Sequence, residues 1–347
     1  MDTALLAGRM LSRGALIGLG ISSRRVSGPE FVPVLPGFHS PAAALPTLRE
    51  ICGVLQRDVL PGAVLSHTTA AALLGIALPM SIDGGVALHL PVPAPAVATG
   101  GALAARFPAL GVRLHVRDDA DRHRSAGGRV TVHRAGRRGR VRAGRLVASA
   151  PVVVLEELAG LLGHADLVAA VDSVVGPGFV VPGITLEQIG AEVAAPARVR
   201  FRRRLLAAVA DARPGVESPA ETYMRLLVTA AGFPEPAVNV SVRESLSGRV
   251  RRIDGAYVEA RIGIEYDGDV HRVVRDRWRE DEARRDGLAA DGWILRRLTG
   301  ADLRDPDAFL TRLHRACVER GVPVPEIGSW RGRVLLPGAS ELSPRRW

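Results

Sequence analysis

The 347-residue chain is 47% hydrophobic, enough apolar mass for two or three cores, which excludes a largely disordered protein or a single small module. Its 46 basic residues are all arginine and stand against 36 acidic ones; the formal net charge of +10 favours a polyanionic partner, nucleic acid or an anionic membrane surface. The absence of lysine excludes lysine-based catalysis, while Cys52 and Cys317, far apart and outside any CxxC context, suggest neither a zinc ribbon nor a disulfide framework and fit a reducing cytoplasm.

No apolar run approaches the roughly 20 residues of a membrane span. The short stretch Ala15–Ile21 is broken by Gly18 and Gly20, which argues against a signal peptide. In residues 1–45, Leu5, Leu6, Met10, Leu11 and Leu16 fall at helical spacing and Phe31–Phe38 reads as a short strand pair. Helices followed by a hairpin predict a winged-helix-like module, with Ser22 or Ser23 as a cap and Arg24 and Arg25 facing phosphates. A small helical module packed on the next region is the alternative.

Residues 46–212 read as an α+β region ending in helices. Helices are expected over Leu48–Gln56 and from Ser66 onward, with Ala71, Leu73, Leu74 and Ile76 on one face. Strands are expected at Val86–Leu90, Val112–Val116 and Arg129–His133. The basic run Arg134–Arg145 reads as a solvated loop or a nucleic-acid contact. His89, His115 and His133 sit one per strand without a carboxylate pattern, and so read as ordinary polar residues rather than metal ligands. Helices then follow over Val152–Leu162, Ala165–Val175, Leu186–Val193 and Val199–Ala210, the last crowded by Arg200, Arg202, Arg203 and Arg204, which make it a phosphate-facing surface or a solvated linker helix.

From residue 213 to 321 the expected order is α-β-β-β-α-β-α, which makes an α/β fold of mixed α+β type, a mixed sheet flanked by helices; residues 322–347 are expected to be a loose tail. Within this region Arg251–His271 reads as two strands. A turn centred between Glu259 and Ala260 sets Asp254 opposite Glu265, and Asp267 shares the face of Glu265 two residues away. Three carboxylates brought together repel one another unless a cation or proton sits among them, and hard oxygen ligands suit Mg²⁺. His271 offers a base or a phosphate contact. The competing reading is strand-end acids in solvent, with Asp267-Gly268 marking a loop.

The combination of Glu221, Asp254, Glu265-Tyr266-Asp267-Gly268, His271, Arg285 with Leu288, Gly292-Trp293 and Leu295-Arg296 resembles the very-short-patch-repair-like branch of the PD-(D/E)XK nuclease superfamily. Upstream, Leu65–Ala71 and Val130–Arg134 look like the AbiEi-type antitoxin-like proteins. The resemblance implies a restriction-endonuclease-like fold and Mg²⁺-dependent hydrolysis of DNA, in defence, repair or mobile-element biology. Asp254 and Glu265 would hold the metal, Asp267 would either join them as a ligand or position the water, Glu221 would reach in from its helix, His271 would stand for a catalytic histidine, and Arg285 would meet DNA. One departure stands out: where the superfamily usually carries a lysine, this chain has Asp267. A DNA-binding, antitoxin-like regulator with a degenerate nuclease domain is the alternative.

Overall fold

The computed structural model describes residues 3–79, 114–118, 130–134, 139–195, 199–267, 285–333 and 335–336. The chain divides into two units, Met1–Gly160 with Ala197–Phe201, and Leu161–Pro196 with Arg202–Trp347. No helix among the described residues is long and apolar enough to cross a membrane.

In the first unit, Ser12 and Ser22 accept hydrogen bonds from the N–H groups of Ala15 and Arg25 and so start α1 (Arg13–Gly18) and α2 (Ser23–Val26). β2 (Phe31–Leu35) returns as β3 (Phe38–Pro41) through Pro36-Gly37, where Gly37 takes φ 76°, the left-handed value such a turn needs after proline. β1 (Leu11–Ser12) pairs with the other edge of β3. Leu6, Leu16, Ile21, Val26 and Phe31 fill the space between helices and hairpin, so the order of elements in residues 1–45 is the expected one.

α3 (Leu48–Val54) opens with a reciprocal Thr47–Glu50 capping box. A second sheet has the order β6-β5-β4-β8-β7, built from β4 (Val64–Leu65), β5 (Leu114–Asp118), β6 (Val130–Arg134), β7 (Arg140–Ala143) and β8 (Leu146–Ser149). Beside it lie α4 (His67–Leu74), ended by Gly75 at φ 74°, and α5 (Pro151–Leu158), begun by proline. The expected strand at 86–90 falls outside the described residues. Part of the basic run, read as a loop, forms β7 and its turn: Val141 and Ala143 interleave with the arginines, and Gly144 at φ 68° lets Ala143 pair with Leu146.

The second unit begins at Leu161, so α6 (His164–Val175), α7 (Leu186–Ala194) and α8 (Arg202–Asp211) belong with the C-terminal sheet rather than with residues 46–160. The reason is packing: Ala165 and Ala169 share a core with Tyr223, Met224 and Leu227 of α9 (Pro219–Ala230). Buried polar bonds reinforce it. Tyr223 donates to Asp166 at 2.7 Å, and Asp172 accepts from Thr222 at 2.8 Å and from Arg225 at 3.3 Å.

β9 (Ala237–Arg243), β10 (Val250–Tyr257) and β11 (Ile262–Asp267) run antiparallel, and β12 (Ile294–Thr299) joins β11 in parallel, in the order β12-β11-β10-β9. One sheet face packs on α9 and on α11 (Asp307–Glu319), which follows the short α10 (Gly300–Arg304); Ile264, Leu298, Phe309 and Leu313 lie in this core. Ile253, Ala256, Trp293 and Leu288 form a separate cluster with the helical segment 285–290. The tail is not loose where it is described: Trp330 is 2% exposed, packs in the main core and donates to Asp307 at 2.9 Å. An indole buries a large apolar area, which outweighs the glycines and prolines around it.

Candidate active site on the C-terminal sheet

Pairs of β10 and β11 are Gly255↔Ile264, Ala256↔Gly263 and Tyr257↔Ile262, the register expected from a turn between Glu259 and Ala260. Continued by one residue, it sets Asp254 opposite Glu265. On the other side, Ile253↔Val240 and Gly255↔Val238 bracket Asp254 and set it opposite Asn239 of β9. β12 places Arg297 beside Glu265 and Thr299 beside Asp267. Glu265 therefore pairs with Arg297, and Asp254 falls between the paired positions Ile253 and Gly255, level with Asn239 and Glu265 by extension of the register.

Two local features shape this stretch. Ile253 and Ala256 belong to one core cluster, whereas Tyr257 belongs to the other and a Cβ on Gly255 would lie 2.8 Å from Met224 Cε. The alternation of β10 thus slips at Asp254, as at a bulge. Asn239, opposite, takes φ 49°, a left-handed value that asparagine tolerates better than most residues. Where the regular ladder stops, the Asp254 side chain takes over: its Oδ2 accepts the Tyr266 N–H at 2.9 Å.

Glu265 is 7% exposed. Asp267, at the end of β11, is half-buried and accepts from Arg297 Nη1 at 3.3 Å. Glu221 is 6% exposed, and its carboxylate accepts from the Glu217 N–H at 2.9 Å, the Ser218 hydroxyl at 2.8 Å and Asn239 Nδ2 at 2.6 Å. It stands in the first turn of α9, whose N-cap is Ser218, and is first of all part of that helix start. Asn239 Nδ2 also donates to Gly215 O at 2.7 Å, so two acceptors fix the orientation of the amide, and its Oδ1 is buried with no donor among the described residues.

The remaining expected site residues are dispersed. His271 lies outside the described residues. Arg285 is exposed at the start of the segment 285–290. Arg24 is exposed, and Arg25 is bound to Glu30 through Nε at 3.0 Å and Nη2 at 2.6 Å in a surface ion pair. Arg202 donates to Ala195 O at the end of α7 at 2.7 Å, tying two helix ends together rather than facing solvent, while Arg203 is exposed. Sequence reasoning missed a groove of about 930 Å³ in the first unit, lined by Arg9, Arg49, Arg57, Arg140 and Arg145. These arginines are scattered in sequence and gather only through the β7-β8 hairpin and α3.

Asn239 and Arg297 were also missed. Asparagine is depleted in strands, so its place among Val238, Val240 and Val242 was a usable signal. Arg297 sits within a run that reads as a buried strand, and only the parallel pairing of β12 brings it to the acids.

Among the described residues, the one set of three histidine, cysteine or carboxylate donors lying mutually within 4.8 Å is His67, His115 and His133. Asp254, Glu265 and Asp267 thus do not close into a three-carboxylate cage. The histidine reading is corrected: His115 and His133 are adjacent across β5 and β6, with His67 beside them, whereas His89 lies outside the described residues. Burial, helped by the neighbouring His133, His115 and Arg117, pushes His67 down to about 3, so its ring is neutral at ordinary pH. No protein-family model matches this chain, and no curated protein sequence matches it.

Proposed function

We propose that the C-terminal unit is a Mg²⁺-dependent DNA endonuclease centre in which Asp254 and Glu265 hold the ion. The observation that carries this reading is the strand register, which pairs Glu265 with Arg297 and, extended by one residue, brings Asp254 level with Glu265 and Asn239. The donor set fits: Mg²⁺ is usually bound by one or two carboxylates and keeps several waters, so a third gathered carboxylate is not required. Asn239 Oδ1, buried with no donor among the described residues, is an acceptor of the kind a cation or its water would satisfy. The resemblance to very-short-patch-repair-like nucleases supplies the substrate class.

When bound, Mg²⁺ would polarise the phosphate and lower the pKa of a water. The chain's own residues do the rest. The Tyr266 N–H fixes Asp254 at the point where the ladder stops. Arg297, half exposed beside Glu265, presents a planar guanidinium suited to phosphate oxygens, a charge that the superfamily usually takes from lysine.

The test is cleavage of supercoiled plasmid with Mg²⁺ and with EDTA, repeated for Asp254→Asn and Glu265→Gln. Mg²⁺-dependent cutting that disappears in both variants supports the reading; unchanged cutting in either overturns the assignment. A second reading, a DNA-binding regulator with a degenerate nuclease domain, is favoured by the Arg297–Asp267 pair and by the open spacing of the acids. It predicts binding without cutting in any divalent metal.

A further inference from the structure

Away from these carboxylates, in the first unit, three imidazoles come from three separate elements. His67 opens α4, while His115 and His133 project from the parallel strands β5 and β6. In that ladder His115 pairs with Thr131 and Arg117 with His133, so the two histidines lie diagonally on one face. His115 Nδ1 is 2.8 Å from His133 Nε2, and the ring of His67 stacks on that of His133 with centroids 3.8 Å apart. Hydrogen bonding alone explains one close pair of nitrogens. It does not explain why a third imidazole is held against the pair at a backbone cost.

That cost is visible at His67, which has φ 49° although it is not glycine. A left-handed residue of this kind costs about 1–2 kcal/mol, and such residues cluster at functional sites. Glu157 of α5 holds it there by accepting the His67 N–H at 2.7 Å. Glu157 is anchored in turn by the Ser149 hydroxyl at 2.9 Å and lies 3.8 Å from Arg117. The ring is oriented by Ser66, whose Oγ lies 3.1 Å from His67 Nδ1, with Glu157 Oε2 farther off at 3.8 Å.

We infer that His67, His115 and His133 form a binding site for a divalent transition-metal ion of the Zn²⁺ class. Three imidazole nitrogens are the donor set such ions prefer, and three protein ligands leave a fourth position for a small molecule or water. Zn–N bonds of about 2.0–2.1 Å at tetrahedral angles separate the nitrogens by about 3.3 Å. The His115–His133 pair would open by about 0.5 Å, and the rings, whose planes lie within 15–28° of one another, would turn about χ2 so that their lone pairs converge, both side-chain adjustments. All three partners come from the first unit, so this site is independent of the nuclease reading.

The test uses the full chain without an affinity tag. Zn²⁺ is titrated by calorimetry, and Co²⁺ by the visible bands of a tetrahedral ion. One equivalent is expected to bind with a Kd on the order of 1 μM or tighter, weakened at least about 100-fold in His115→Gln and His133→Gln and about tenfold in Glu157→Gln. The double variant Asp254→Asn, Glu265→Gln is expected to bind as the parent does. Since replacing His67 can unseat α4, X-ray absorption at the zinc edge of the unmodified chain gives a readout that needs no variant, with three imidazole ligands expected. Binding unchanged in both histidine variants, an oxygen-only shell, or no stoichiometric binding by the folded parent chain would each overturn the assignment.

Discussion

In the first unit, three imidazoles from α4, β5 and β6 have ring nitrogens mutually within 4.8 Å; in the second, Asp254, Glu265 and Asp267 on the sheet and Glu221 on α9 form no such group. Both arrangements follow from charge. Neutral rings can be stacked without a counterion, and burial keeps His67 neutral. Carboxylates repel, so each is held by a separate partner: Glu221 by a helix start, Asp254 by the Tyr266 N–H and Asp267 by Arg297. A site for a borderline metal with nitrogen ligands can be assembled in advance, whereas a site for a hard cation is drawn together when the cation and its anionic substrate arrive.

The largest expected effect separates ligands from scaffolding. Asp254→Asn is expected to lower plasmid cleavage by at least about 10²-fold, with DNA binding retained in a mobility-shift assay, because an amide keeps the shape of the carboxylate and loses its charge. Next comes the mount of α9. Arg225, buried against Asp172, is expected to cost about 3–5 kcal/mol in urea unfolding when changed to Met, since this leaves Asp172 buried without its counter-charge. Restoring neutrality with Asp172→Asn in the same chain should recover part of that loss.

Arg297→Ala is expected to reduce cleavage about tenfold and to raise the Mg²⁺ concentration at half-maximal rate, a split visible in a metal titration of initial rates. The smallest effect is expected for Glu221→Gln, which keeps an acceptor at the helix start. A stability loss of about 1 kcal/mol with cleavage within a few fold of the parent would identify Glu221 as part of the helix start. Loss of cleavage with stability intact would return it to the reacting centre.

Much of the C-terminal sheet was legible in the sequence because its signals are local. Alternating apolar residues predicted β9, β10 and β11, and the turn position predicted a register that the strands adopt. What was illegible depends on pairing between distant segments. Arg297 reaches Asp267 only through the parallel β11–β12 ladder, and Asn239 comes level with Asp254 only through the antiparallel β9–β10 register. The histidine cluster illustrates the same limit: strand spacing showed His115 and His133 as separate residues, and their adjacency depends on the parallel register of β5 and β6. His67 joins them from a helix start whose sequence, Ser66-His67-Thr68-Thr69, reads as a cap and nothing more.

The position at which the second unit begins bears on how this protein is dissected in the laboratory. A fragment cut at residue 213, where the order of elements suggests a border, would discard Asp166 and Asp172, leaving Tyr223 in an apolar interior without that acceptor and Arg225 with Glu235 in place of the Asp172–Glu235 pair of carboxylates. Such a fragment should express as insoluble material, and its silence in a cleavage assay would say nothing about the acids on the sheet. Cloning from Leu161 keeps those acceptors and the helix that carries them.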